Sequence, residues 1–344
     1  MKVALVHRSF SERGGCERFG LGFARYLVER QHEVDLWCVD AEGAPAPAGV
    51  RRLHAGGRGR IWKMLSLWRA AGRVPVADYD VVVGLGRTPG HQVYRAGGGC
   101  HRAWVEEQGW SLADLIEVEL DRRAVMGAQR VVANSRMAGA ELQSWYGLPA
   151  DRLTVIHNGV DLTRFTPEVA EPLPVPGPFL LFFGNGFHRK GLAVALRALA
   201  ELPGLHLAIV GHDPREARYR RLARQLGVDA RAHFLGPRAR PEGWLGSAAA
   251  LILPTRYDPF ANVVLEALAS GVPVITSGRN GASEILPEPW MTVPDPADAP
   301  AFARAVERAL QEPRMRDRCR ATAESHPATA AYARLLRVSE ERSP

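Results

Sequence analysis

The stretch Tyr257-Asp258-Pro259-Phe260-Ala261-Asn262-Val263-Val264-Leu265-Glu266-Ala267-Leu268-Ala269-Ser270-Gly271 concentrates residues able to do chemistry. Phe260, Val263, Val264, Ala267 and Leu268 recur at helical spacing and make an apolar stripe, while Asn262, Glu266 and Ser270 fall on another face. A carboxylate among apolar neighbours is costly unless its oxygens are satisfied, and Glu266 could accept two hydrogen bonds from a vicinal diol such as a ribose. Asp258, eight residues earlier, completes an acidic pair. Followed by Pro259 it also matches a helix N-cap with proline at the first helical position, so a cap and a ligand contact both remain open for it.

Two glycine-rich segments accompany the pair. Gly184-Asn185-Gly186-Phe187-His188-Arg189-Lys190-Gly191 follows an apolar run and precedes a helix expected over 192–202. Two adjacent cations at a helix start oppose the helix dipole, which makes sense if an anion fills the site. Lys190 is one of only three lysines, with Lys2 and Lys63, among 44 basic residues, so a compact ammonium is a specific choice there. Near the N-terminus, Ser11-Glu12-Arg13-Gly14-Gly15 joins the first strand to the first helix, where free backbone N–H groups suit a phosphate; a tight turn would need the same glycines.

The elements that must position these residues read as alternating strands and helices. Apolar runs at 2–7, 33–39, 81–84, 130–133 and 153–157 are expected strands, separated by amphipathic segments such as 18–29. Thr166 to Pro178 holds five prolines in thirteen residues and is placed as the interdomain linker. The alternation then restarts at 179–183, 205–210, 232–235, 249–253 and 272–276, and the chain ends in helices. This predicts an α/β protein with a first domain over 1–165, a second over 166–326, and a last helix, about 327–344, free to pack back on the first. Ligand crevices of open parallel sheets lie at the carboxyl ends of the strands, and two domains facing each other would merge them into one cleft.

Composition narrows the classes. With 46% hydrophobic and 24% charged residues among 344, disorder is excluded. The longest apolar run is about six residues, against the ~20 a membrane span needs, and the N-terminus has no signal-peptide core, so a cytoplasmic protein is expected. Cys16, Cys38, Cys100 and Cys319 lack metal-ligand spacing and read as free thiols, so no metal is expected. A net charge of +7 favours an anionic partner without choosing one. Asp78-Tyr79-Asp80 spells a metal-binding D-x-D but precedes its strand, so it reads as a turn.

Taken together, Asn158-Gly-Val-Asp161 with Phe165, the Gly184–Gly191 loop and Asp258-Pro-Phe-x-Asn-x-Val-x-Glu266-Ala resemble the retaining, nucleotide-sugar-dependent glycosyltransferases of family 4. The likeness covers nearly the whole chain. It is strongest toward the lipopolysaccharide core glucosyltransferases, through Gly14-Gly15, Pro89-Gly90, Val93-Tyr94 and the helix motif. The resemblance implies a GT-B fold of two Rossmann-like domains facing across a cleft, the second holding the donor and the first the acceptor. It implies transfer of a hexose, of the glucose or N-acetylglucosamine type, from a nucleotide diphosphate sugar, a UDP-sugar by preference. The acceptor would be a glycan or lipid-linked glycan of envelope polysaccharide or lipopolysaccharide synthesis.

Residue by residue, the resemblance implies that Glu266 holds the donor ribose and Asp258 the transferred sugar, with Asp where the family pattern has Glu. Arg189 and Lys190 match the cations on the leaving diphosphate, Gly14 and Gly15 the phosphate-facing loop, and Gly184, Phe260, Asn262 and Val263 the donor-binding segments. His101, expected in a loop, would touch sugar or acceptor. With the cations supplied by side chains, turnover should need neither metal nor cofactor. Two rivals differ in class. An NAD-dependent oxidoreductase shares the domain type, but Gly84-Leu-Gly86-Arg-Thr-Pro-Gly90 has the wrong spacing and no ribose-binding acid follows. A non-catalytic basic protein would bind membrane through Trp62, Trp68 and Arg69; the same residues suit a transferase resting on an anionic membrane face, and no nucleic-acid partner is expected.

Overall fold

The computed structural model describes residues 1–12, 14–169, 171, 174–238 and 241–341. They form two units, Met1–Asn158 with Ala328–Pro344, and Gly159–Pro327. The chain crosses between units ahead of the proline-rich segment, of which residues 170, 172 and 173 lie outside the described ones.

The first unit is built on a seven-stranded sheet whose spatial order is Gly49–Arg52, Glu33–Cys38, Lys2–Val6, Val81–Gly84, Val93–Ala96, Arg130–Ala133, Leu153–Val155. Every pairing is parallel. The order reverses between Lys2–Val6 and Val81–Gly84, the switch point where such sheets open a ligand crevice. The helix Gly15–Glu29 buries Phe19, Leu21, Phe23 and Leu27 in the core of this unit. Beside it lies the terminal helix Ala328–Glu340, whose Tyr332 ring stands 5.1 Å from Phe19 and 5.7 Å from Tyr26.

The second unit repeats the plan with six parallel strands in the order Ala232–Gly236, His206–Val210, Phe179–Phe183, Ala250–Leu253, Val274–Ser277, Thr292–Val293. Its central strands are apolar on both faces, as a sheet covered by helices on both sides requires. The switch point falls between Phe179–Phe183 and Ala250–Leu253. Their carboxyl ends lead directly into the Gly184–Gly191 loop and the Asp258 segment. Among the described residues no helix is long and apolar enough to cross a membrane.

Candidate active site

Gly184 leaves the strand Phe179–Phe183 with φ +146°, and the chain then makes a single helical turn, Phe187–Lys190. Arg189 and Lys190 therefore close this turn, rather than opening the next helix, Leu192–Ala200. Gly191 between the two has φ +80°, and a Cβ there would lie 1.8 Å from the Pro254 carbonyl oxygen, so no other residue fits without moving the backbone. A Cβ at Gly184 would meet the Lys190 stem at 3.1 Å. The glycines thus press Lys190 against the neck of the loop. The Phe187 N–H is held at 2.7 Å by Asp213, a buried acid from the end of the neighbouring strand, and the Arg189 carbonyl accepts from Arg256 N and Thr255 Oγ1.

Asp258 is not a helix cap. The helix with the acidic motif runs Asn262–Ala269, its N-cap is Ala261, and Asp258 lies upstream in a bridge to Asn280. Lys190 Nζ donates to Asp258 Oδ2 at 2.7 Å and Arg189 donates to the same oxygen at 2.8 Å, while Oδ1 accepts from Phe260 N at 3.2 Å. Burial pushes the Asp258 carboxyl up, but the charges of Lys190 and Arg189 outweigh it and hold the group below the usual carboxylate range. Burial lowers the Lys190 ammonium, against the pull of Asp258. Asn280, fully buried, fixes the segment by accepting from Ala261 N and Ala282 N and donating to Thr276 Oγ1.

Glu266 is buried in the helix Asn262–Ala269, near enough for its charge to act on Lys190. Phe260 and Val263 are buried and Asn262 half-buried at the same helix start. The second unit therefore gathers Gly184, Arg189, Lys190, Asp258, Phe260, Asn262, Val263 and Glu266 around one switch point. Asp213, Asn280 and Arg256 were not singled out from sequence. The contacts that tie them to the site, Asp213 to Phe187, Asn280 to Ala261 and Arg256 to Arg189, lie far along the chain, and the local traces are the Asp213–x–Arg215 turn and the Asn280 cap on Ala282.

The remaining candidates belong to the first unit. Gly14, at φ +88°, caps the helix Gly15–Glu29, and Arg13 of the same loop lies outside the described residues. His101 is not in a loop: it is the first residue of the helix His101–Gln108, buried and stacked on Trp104. Its Nε2 stands 3.3 Å from Asp114 and 3.7 Å from Glu117. These acids are already engaged, since Arg60 bonds both, Arg87 donates to Glu117 at 2.7 Å, and Asp114 accepts from Ser111. Burial raises Asp114, but Ser111 and Arg60 bring it down to about 2. Burial and Arg87 lower His101, against Glu117, Asp121 and Asp114, which favours the neutral ring. The His101–Asp114–Glu117 trio has the spacing of a metal site, but two arginines neutralise its carboxylates and it does not fit a resident cation. Beside it a cavity of about 500 Å³ is lined by Arg8, Val39, Ala55, Lys63, Met64 and Leu67, among others. All four cysteines are free thiols.

Two Rossmann-like units with these strand orders define the GT-B class. The solved structure of WaaG, a glycosyltransferase involved in lipopolysaccharide biosynthesis, shares the fold over 99% of this chain and 100% of its own, with a TM-score of 0.82 at 21% identity. Anabaena Alr3699/HepE, solved with UDP-glucose, has a TM-score of 0.77 at 17% identity over 99% and 100% of the chains. The family model described as Glycosyltransferase Family 4 matches residues 13–164 and that of Glycosyl transferases group 1 matches 167–326. The chain belongs to this glycosyltransferase family. Lipopolysaccharide core biosynthesis glycosyltransferase LpsE of Rhizobium meliloti (strain 1021) is 30% identical over 147 residues, 42% of this chain and 43% of LpsE, so the chain spans under half of that relative.

Proposed function

We propose that the protein is a retaining hexosyltransferase of envelope polysaccharide or lipopolysaccharide synthesis, moving a glucose- or N-acetylglucosamine-type sugar from a UDP-sugar to a glycan or lipid-linked glycan. The observation that carries this reading is the buried Asp258 carboxylate holding Arg189 and Lys190 side by side at the switch point of the second unit. Cations fixed in place before the reaction stabilise a departing diphosphate without reorganising, which makes a divalent metal redundant. Glu266 takes the ribose hydroxyls, and Asp258 orients the cations and meets the transferred sugar. The leaving phosphate accepts the proton of the attacking hydroxyl, so no separate carboxylate base is required. The likeness to WaaG, LpsE and the HepE–UDP-glucose complex supports the donor and the pathway class.

In the first unit, we assign Gly14 and Gly15 to phosphate binding and His101 to the sugar or acceptor. The cavity lined by Arg8, Lys63, Met64 and Leu67 suits a saccharide with apolar faces and an anionic substituent. Trp62 on the helix Arg60–Ala71 is 62% exposed, and Leu112 and Leu115 are 80% and 56% exposed on the helix Leu112–Gly127. Apolar side chains standing in solvent beside basic residues fit peripheral contact with an anionic membrane, at the cytoplasmic face where a lipid-linked acceptor would be met. On the same helix as Trp62, Arg69 is exposed and Trp68 half-buried.

A thermal-shift panel of UDP-, ADP- and GDP-sugars tests the reading. A ligand at ~100 times its Kd stabilises by ~2.7 kcal/mol. A UDP-sugar is expected to raise the melting temperature, and turnover should persist in excess chelator. Stabilisation by NAD alone, or a complete loss of turnover in chelator that magnesium restores, would overturn it.

A further inference from the structure

On the second unit a separate cavity of about 310 Å³ lies between the helices Leu192–Ala200 and Glu216–Gln225. Arg197, Arg218, Arg221, His188 and Tyr219 are among its lining residues, and among the described residues no carboxylate lines it. The nearby acids are committed elsewhere: Glu216 pairs with Arg220 at 2.8 Å, and Asp213 is buried on the N–H groups of Phe187 and Arg215. Arg197, Arg218 and Arg221 are exposed to solvent and share this one concave wall, Arg197 resting on the Ala193 carbonyl of its own helix at 3.4 Å, so an anion entering it meets three cationic side chains at once. Their planar donors match phosphate oxygens in pairs. The local field is correspondingly positive. Burial lowers the His188 imidazole, and Arg256, Arg215 and Arg218 lower it further against Asp213 alone.

We infer that this cavity is a second anion site, distinct from the donor site, that takes a small phosphate-bearing group on Arg197, Arg218 and Arg221. The volume lies at the low end of the ~300–1,000 Å³ of small-molecule pockets and suits a pyrophosphate or a sugar phosphate. The site also has a physical link to the donor loop. Tyr219, one of its walls, stands edge-on at 5.5 Å to Phe187, the residue that opens the turn bearing Arg189 and Lys190. The phosphate could arrive on a free metabolite or as a lipid headgroup, and the two sources are separable.

The experiment is a calorimetric titration of inorganic pyrophosphate into the whole protein with UDP saturating, alongside co-sedimentation with phosphatidylglycerol vesicles. Each is repeated on Arg218→Ala/Arg221→Ala. Neither residue belongs to the donor site, so unchanged UDP affinity confirms that the variant is folded. Pyrophosphate binding that survives saturation with UDP and weakens about tenfold or more in the variant supports a site for a free phosphate. Vesicle binding lost in the variant, without such a pyrophosphate signal, supports a headgroup site. If neither probe binds with UDP present, or if both bind wild type and variant equally, there is no second site.

Discussion

Replacing Asp258 by Asn separates the role of its charge from that of its shape. Asp258 and Lys190 are 8% and 7% exposed, and Arg189 shares the same carboxylate oxygen with a side chain 29% exposed. Removing one partner of a buried ion pair costs ~3–5 kcal/mol, because the remaining charge is left uncompensated. Arg189 can still reach water, so the lower end, ~3 kcal/mol, applies. For a unit of this size that is a fall of roughly 6–12 °C in Tm. Binding should move the other way. A diphosphate supplies the negative charge that Asp258 no longer provides, so UDP should bind the variant at least as tightly as wild type, while turnover drops because the cations lose their alignment. The wild-type pair also sets a pH dependence. The folded carboxyl is depressed, so its stabilisation is complete above the unfolded value of about 4 and is lost as pH falls through the lower folded one. Calorimetric melts from pH 3 to 7 with UDP titrations read all three effects. An unchanged Tm, or UDP affinity weakened tenfold, would refute the reasoning.

Lys190→Ala should lower kcat by about 10²–10³, as loss of one charge-stabilising donor does elsewhere, and leave the fold near wild type because Asp258 keeps Arg189; a kinetic assay with a UDP-sugar checks it. Glu266→Ala should weaken UDP binding while leaving inorganic pyrophosphate binding at the donor site unchanged, which paired titrations distinguish. Flotation with anionic liposomes at low salt should carry the protein upward, and Leu112→Glu/Leu115→Glu should abolish this without changing the melt; protein that stays at the bottom favours a water-soluble acceptor.

The sequence made the repeating architecture legible because short apolar runs alternate with amphipathic segments along the chain. It hid Val93–Ala96, whose Arg95 breaks the run; the guanidinium is buried over the Phe19 ring and bonded to Asn158, partners far away in the chain. It hid Gly49–Arg52 because an exposed edge strand need not be apolar. At the site the residue types were readable and their local settings were not. Asp258-Pro259 carries every mark of a helix start, but Asn280, nineteen residues beyond Ala261, holds the segment extended and delays the helix to Asn262. Three glycines before His101 suggest a loop, but the buried carboxylate of Asp121, on the His101 backbone N–H at 2.9 Å, anchors the start of a helix there.

The terminal helix Ala328–Glu340 carries a consequence for how the protein is made. It completes the first unit, with Leu335 fully buried and Tyr332 among Phe19, Phe23 and Tyr26, yet the whole second unit is translated before it. At ~5–20 residues per second, the N-terminal half waits on the ribosome for roughly 10–35 seconds with the Phe19, Phe23 and Tyr26 rings lacking their Tyr332 partner. The second unit, continuous in the chain, can fold in that interval. The half synthesised first is thus the half that finishes last, its groove for Tyr332 open until the terminal helix arrives.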